Sequence, residues 1–421
     1  MRPAGLIRCL AEASLTLGAA AGANHIRKSA MKNRKVPVLR FGEFEGEWET
    51  KLLGEYFEFK NGINADKEQY GTGIKFINVS DILENDYLTY DRIQGSVDVS
   101  ADQVQKNEVN YGDVLFQRSS ETREEVGTAN VYLDKDRSAL FGGFVIRGSG
   151  KVVYSPEFMN YLLKTSAVRK DITSRSGGST RYNVGQDSLA SSSFTLPTLP
   201  EQKKIATFLT AVDGRLAGLR RQRALLGGYK RGVMQKLFDT DATNTTVYSL
   251  ASRYNVQMGQ SPPSTSYNTE ERGIYLIQGN ADIEDNKTAP RYWTTEPTNL
   301  CNEGDVILSV RAPVGSVAKA VHHACIGRGV CRIYSDENSI EYIYQYLKWF
   351  EPRWDGIAQG STFKAVSGSD IRKLNVPFPA LPEQRRIATF LRALDDRIAL
   401  VERQLAGAEA FKRGLLQGMF V

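Results

Sequence analysis

One stretch of forty residues occurs twice in this chain, 182 residues apart, and both copies carry the spacing of a long amphipathic helix. Leu199-Pro-Glu-Gln-Lys-Lys-Ile-Ala-Thr-Phe-Leu-Thr-Ala-Val-Asp213 returns as Leu381-Pro-Glu-Gln-Arg-Arg-Ile-Ala-Thr-Phe-Leu-Arg-Ala-Leu-Asp395. The match continues without a gap through Lys230-Arg-Gly and Lys412-Arg-Gly to Phe238 and Phe420, with 21 identities over the 40 pairs. Two unrelated helices share polarity, not runs such as LPEQ and IATFL. The chain is therefore organised as block, helix, block, helix. A duplicated chain of this kind is expected to be pseudo-two-fold symmetric, which suits a two-fold partner such as duplex DNA.

The apolar residues of the first copy (Ile205, Leu209, Val212, Leu216, Leu219, Leu226, Val233, Leu237) recur at spacings of three and four, with Arg223 and Lys230 interrupting the seam. Ile387, Leu391, Leu394, Ile398, Val401, Leu405, Leu415 and Met419 hold the same register in the second. A seam sustained over about five heptads reads as a coiled coil. Each helix is expected to begin after a proline, with Glu201 or Glu383 in the first turn, where the helix dipole favours a carboxylate. About 38 helical residues span roughly 57 Å, too long for an element buried in one small domain. The economical arrangement is an antiparallel pair, with Ile205, Leu209, Val212, Leu216 and Leu219 of one helix and Ile387, Leu391, Leu394, Ile398 and Val401 of the other as the packing residues.

A chain of 421 residues implies two or three domains. Four cysteines (Cys9, Cys301, Cys325, Cys331) make no disulfide framework and suit a reducing cytoplasm. No apolar run approaches the roughly 20 residues needed to cross a bilayer. The net charge of +6 is unevenly placed: Glu201–Phe238 carries +7 and Glu383–Val421 carries +2, leaving the remainder slightly acidic. This balance permits a nucleic-acid partner without establishing one. The basic first helix suits either phosphate or an acidic partner surface, the latter being favoured.

The two blocks resemble each other more faintly. Leu53–Gly62 aligns with Leu250–Gly259, Tyr70 with Tyr267, and Gly73–Ile82 with Gly273–Ile283 after one insertion. Tyr111–Leu115 aligns with Glu303–Ile307, and Gly178-Ser-Thr180 with Gly360-Ser-Thr362. Val114–Phe116 and Val306–Leu308 read as buried strands, and Ser155–Ser166 and Ser339–Phe350 as helices. The expected fold class is α+β, with two mixed α/β domains separated by two long helices. The expected boundaries are 36–197 and 239–379 for the blocks, and 198–238 and 380–421 for the helices. Residues 239–245 read as a polar linker. Residues 1–35 are expected to form a disordered N-terminal extension, with Met31 a natural start.

The doubled LPEQ helix, the opening Val36-Pro-Val-Leu-Arg-Phe-Gly-Glu-Phe-Glu-Gly-Glu-Trp48, Arg311-Ala-Pro-Val-Gly315 and Cys325-Ile-Gly-Arg-Gly-Val330 together resemble the specificity subunit of Type I restriction–modification enzymes. The resemblance covers Val36–Val421. It implies that the blocks are target recognition domains, each reading half of a split DNA sequence. The helices would hold them apart and dock two modification (methyltransferase) subunits, with restriction/translocase subunits completing the complex. It implies no active site and no cofactor in this chain. The partners would use S-adenosylmethionine to methylate adenine, and ATP with Mg2+ for restriction. On this reading the stiff helix pair sets the spacing of the half-sites. The competing reading is a coiled-coil scaffold or adaptor without DNA readout.

Base reading needs Arg, Lys, Asn or Gln on loops. In the first block the richest segments are 117–123 and 173–183, offering Arg118, Arg123, Arg175, Arg181 and Asn183; in the second they offer Arg311, Arg328 and Lys364. Ordinary solvated loops would look the same in sequence. His322, His323, Cys325 and Cys331 match no common zinc spacing, so no metal is expected. Ser261-Pro-Pro-Ser264 resembles the base-stacking loop of amino-methyltransferases, but Ser264 stands where the aromatic is needed. Gly148-Ser-Gly-Lys151 lacks the rest of a phosphate loop, and Glu58-Phe-Lys60 the Pro-Asp of a nuclease. Catalysis by this chain is therefore not expected.

Overall fold

The computed structural model describes residues 35–239, 246–357 and 365–421. The expected extension up to residue 34, residues 240–245 of the linker and the loop 358–364 with Lys364 lie outside the described residues. Two compact units divide the chain. The first runs through Leu216 and takes up Gly407–Val421; the second is Ala217–Ala406. Each unit thus holds one block and part of both long helices.

Four helices organise the account: α1 (Pro156–Leu162), α2 (Leu199–Phe238), α3 (Ile340–Phe350) and α4 (Leu381–Gly418). The long helices start at Leu199 and Leu381, two residues before the expected start after proline. Pro200 and Pro382 lie inside the first turn, where a missing N–H leaves no bond unmade.

In the first unit Lys412 of α4 pairs with Asp213 of α2 at 2.6 Å. In the second, Lys230 of α2 pairs with Asp395 of α4 at 2.5 Å, and Arg223 with Glu402 at 2.7 Å. In the second unit rising numbers on one helix meet falling numbers on the other, so the two segments there are antiparallel. Asp213 and Asp395 are one position of the repeat, and Lys230 and Lys412 another. Each copy's aspartate therefore takes the other copy's lysine. The second aspartate oxygen is also used: Tyr161 donates to Asp213 at 2.7 Å, and Gln345 to Asp395 at 2.8 Å. Burial pushes the Tyr161 phenol above its ordinary pKa, so it stays a donor. Such half-exposed pairs contribute about 1 kcal/mol at most. Their larger effect is on register, since a slip of one turn unmakes every one of them. The two residues that interrupt the apolar seam, Arg223 and Lys230, are the ones that carry these pairs.

Of the ten expected seam residues, Ile205, Leu209, Val212 and Leu216 are buried in the first unit, and Leu219, Leu391 and Val401 in the second. Ile387, Leu394 and Ile398 are half-buried. The start of α4 does more than face α2: Ile387, Ala388, Leu391 and Leu394 pack into the second block's core with Tyr342, Tyr346, Val376 and Phe378. Near the end of α2, Met234 and Phe238 are buried, while Val233 and Leu237 are half-buried. The apolar stripe widens there because it must serve that core as well as a partner helix.

Within each block the strands form mainly antiparallel sheets. In the first, Phe57–Asn61, Val145–Gly150, Val114–Gln117 and Ala129–Val131 lie side by side, and a second sheet carries Gly95–Val97, Tyr70–Ile77 and Leu140–Phe141. Between and around them lies a core of Ile77, Leu115, Tyr132, Phe141 and Val145. In the second block the corresponding strands Asn255–Met258, Val330–Tyr334, Val306–Ser309 and Val317–Lys319 are extended to six by two short ones, beside a five-stranded sheet.

The glutamine of each LPEQ ties a long helix to its block. Gln202 accepts from the Ser155 backbone at 3.1 Å and donates to the Pro197 carbonyl at 2.9 Å. Gln384 accepts from the Ser339 backbone at 3.2 Å and donates to the Pro379 carbonyl at 3.0 Å. Ser155 and Ser339 are the N-caps of α1 and α3. Both glutamines are buried, so replacing one with an apolar residue strands a buried N–H and a carbonyl. We expect Gln202→Leu to destabilise the first unit by about 2 kcal/mol, read as a lowered urea midpoint. Gln404→Leu on an exposed helical position should leave it within about 0.5 kcal/mol. Equal midpoints for the two variants would contradict this role.

Candidate nucleic-acid interface

Strand ends and turns bring the two arginine-bearing segments of the first block together. Ser119–Ser120 pairs antiparallel with Tyr182–Asn183, and the Val184 amide donates to the Arg118 carbonyl at 3.0 Å. The Asn183 side chain accepts from Ser119 Oγ at 2.5 Å and donates to the Arg181 carbonyl at 3.1 Å. Arg123 Nε reaches the Thr173 carbonyl at 3.3 Å. Segments 117–123 and 173–183, far apart in sequence, thus form one surface.

The turn 142–144 completes it. The Arg118 amide donates to the Phe144 carbonyl at 2.9 Å, and its guanidinium rests on the Gly143 carbonyl at 3.4 Å. A Cβ at 143 would sit 1.8 Å from Asn64 Oδ1, so any larger residue there must displace the exposed Asn64 side chain. Gly62 admits only glycine, because a Cβ there would sit 2.3 Å from the backbone carbonyl oxygen of Gly142. The result is a stiff turn that presents Phe144 with 62% of its surface exposed. Sequence reasoning passed over Phe144. The available signal was an aromatic after Gly-Gly at the head of an alternating strand, one step out of the core phase.

The candidate side chains differ in availability. Arg118, Arg123, Arg175, Arg181 and Asn183 are all exposed. Arg175 is held by Asp171 at 3.0 Å one turn earlier, which offsets its charge. Arg181 makes no side-chain bond among the described residues. Glu121 and Glu124, exposed on the same segment, disfavour a purely phosphate surface and suit cytosine amino groups.

The second block builds the same frame. The Val310 amide donates to the Gly329 carbonyl at 2.9 Å, and the Val366 amide to the Val310 carbonyl at 3.0 Å. These reproduce the two bonds made by Arg118. Arg311 bridges to Ala365 as Ser119 does to Asn183. Gly259, the counterpart of Gly62, would place a Cβ 2.1 Å from the Gly327 carbonyl oxygen. Arg311 and Arg328 are exposed on this surface, and Ser261 Oγ accepts from the Arg328 amide at 3.1 Å and its Nε at 3.4 Å. Ser261 of the Ser-Pro-Pro-Ser run therefore orients an arginine. Lys364 lies outside the described residues.

The histidines and cysteines of the second block are engaged separately. His322 stacks on Tyr275 with centroids 4.3 Å apart, and His323 Nδ1 meets Asn302 Oδ1 at 3.0 Å. Burial pushes the Cys301 thiol up to about 11 and Cys331 up to about 12, away from the thiolate form that binds metals. Among the described residues no three His, Cys, Asp or Glu side chains converge as a ligand set, and no helix is long and apolar enough to cross a membrane.

Comparison with known proteins is consistent from end to end. The model of the Type I restriction modification DNA specificity domain matches twice, over residues 45–225 and 245–410. A provisionally assigned MjaX type I restriction enzyme specificity subunit of Methanocaldococcus jannaschii is 28% identical over 409 residues, covering 91% of this chain and 95% of that one. The MjaIX specificity subunit of the same organism is 30% identical over 122 residues, 28% of each chain. Among solved structures, the HsdS subunit from Thermoanaerobacter tengcongensis superposes with a TM-score of 0.50 at 25% identity, covering 90% of this chain and 97% of that one. The S subunit of a Type-I restriction-modification system from M. genitalium, at 16% identity, shares the fold, with a TM-score of 0.58 over 92% and 99% of the two chains.

Proposed function

The chain belongs to the Type I restriction modification DNA specificity family, and we propose that each of its two blocks reads one half of a split duplex site through the surface just described. The observation that carries this is one backbone frame bearing different side chains. Gln117, Arg118, Ser119, Gly143 and Phe144 occupy the places of Ser309, Val310, Arg311, Arg328 and Gly329. A shared frame holds both blocks to one docking geometry, and different donors and acceptors let each read its own bases. A plain scaffold has no need of the second feature.

On this reading the chain is the non-catalytic reader of a cytoplasmic complex. The paired helices dock modification subunits that use S-adenosylmethionine to methylate an adenine in each half-site. Restriction subunits with ATP and Mg2+ complete the assembly. The motifs that methyl transfer or phosphodiester cleavage would need are missing from the sequence. The basic face of α2 meets the partner subunits rather than phosphate.

Phe144 is suited to stack on a base or enter a base step, since its ring is exposed on a stiff turn beside Arg118. We expect Phe144→Ala and Arg118→Ala each to weaken binding to the cognate site of the assembled complex by about 10- to 100-fold, the size of one good base contact. Discrimination should relax at the first half-site only. Arg328→Ala should relax the second only. Variants that weaken all sequences equally would place these side chains on phosphate instead.

The function itself is tested by mapping adenine methylation in a methylation-free host that expresses the modification subunit with and without this chain. The expected result is a split motif, modified on both strands, that disappears when the chain is omitted. A stable complex that produces no motif would leave the scaffold reading standing and refute the proposal.

A further inference from the structure

The first unit covers the start of α2 with the segment that precedes its first strand. Arg40 donates to both carboxylate oxygens of Glu201 at 2.8 Å, and Trp48 Nε1 reaches the same group at 3.3 Å. The Phe41 ring meets Phe208 edge-on at 5.8 Å, and Glu43 pairs with Lys204. The segment is fixed further by the Leu39 amide, which donates to the Gly418 carbonyl at 2.8 Å. Glu201 is thereby 1% exposed and Phe208 half-buried. An acid, a base and an aromatic on one helix face are each answered by a base, an acid and an aromatic of the covering segment.

The repeat places the same three chemistries at the start of α4, in Glu383, Arg386 and Phe390. There they are open. Among the described residues the Glu383 side chain meets only Arg386 of its own helix, at 3.4 Å, with side chains 42% and 81% exposed. Phe390 is 43% exposed. The run that leads into the second block, Asp239-Thr-Asp-Ala-Thr-Asn-Thr245, contains no arginine and no aromatic residue. It cannot supply the cover that Arg40, Phe41 and Trp48 supply in the first unit.

We propose that Glu383, Arg386 and Phe390 form a docking surface for a partner polypeptide, by way of a segment bearing an arginine, an aromatic residue beside it and an acid within three residues. The occupant's chemistry is read from Arg40-Phe-Gly-Glu43, which fills the equivalent surface. A bidentate Arg–carboxylate pair beside an aromatic contact is a typical anchor of protein recognition. A second copy of this chain is disfavoured, because its own segment is held by Glu201, Lys204 and Phe208 of α2 and by Gly418 of α4. One chain therefore offers one such surface. The inference concerns a partner and stands apart from DNA reading.

The test is titration of a labelled peptide of residues 35–49 into the full chain, followed by fluorescence anisotropy. Saturable binding of one peptide per chain is expected. Glu383→Ala or Phe390→Ala in the chain, and Arg40→Ala in the peptide, should each weaken it at least tenfold. The replaced side chains of α4 are exposed, so an unchanged thermal midpoint is expected for both chain variants. Absence of saturable binding to the unaltered chain, or binding indifferent to all three substitutions, would overturn the proposal. Concentration-dependent dimerisation of the chain that Phe390→Ala abolishes would also overturn it, by assigning the surface to a second copy.

Discussion

An aspartate from one copy of a repeat and a lysine from the other hold this architecture in register. Asp213 with Lys412, and Lys230 with Asp395, are one interaction written twice. A heptad seam of Leu, Ile and Val tolerates slippage by whole heptads, because each apolar side chain accepts any other of similar size. The charged pairs remove that freedom, since only one alignment satisfies both. They do so at small energetic gain, and their value lies in specifying a single pairing. Because each aspartate oxygen left over is bonded by a block residue, Tyr161 or Gln345, the same atoms also align each block with its helices.

The LPEQ glutamines extend that logic. Each spends its acceptor on the N-cap serine of a block helix and its donor on the carbonyl before the long helix. Backbone frames are thus fixed from the helices outward, through bonds that depend little on the block's remaining sequence. The surface proposed to read DNA lies among loop residues that carry none of these bonds. Arg118 and Val310 make identical main-chain bonds while presenting unlike side chains. A fixed frame with free side chains allows a reader to change its target without refolding.

Much of this was legible in the sequence because it repeats. The long helices announced themselves through apolar spacing of three and four, and α1 and α3 through the runs Ser155–Ser166 and Ser339–Phe350. The alignment of Gly62 with Gly259 paired two positions at which the structure shows close backbone approaches that only glycine allows. Four things were hidden. The role of Arg223 and Lys230 looked like an interruption of the seam, because their acids lie more than 160 residues away. The burial of Met234 and Phe238 depends on a core that one-dimensional spacing does not contain. The convergence of segments 117–123 and 173–183 rests on a two-residue strand pair, too short to leave a periodic trace. Phe144 was hidden for a related reason: a turn between strands decides its exposure, and no composition reports it.

We propose that the paired helices set the distance between half-sites, and lengthening both of them between their charged pairs is the most direct test. One heptad inserted after Arg223 and one after Glu402 leaves Asp213–Lys412 and Lys230–Asp395 intact on either side. Seven helical residues add about 10 Å, equal to roughly 3 base pairs of duplex at about 34 Å per turn. Adenine-methylation mapping with the double-insertion chain should return the same two half-sites with the unread spacer longer by about that amount. Unchanged spacing, with both half-sites still modified, would contradict the account.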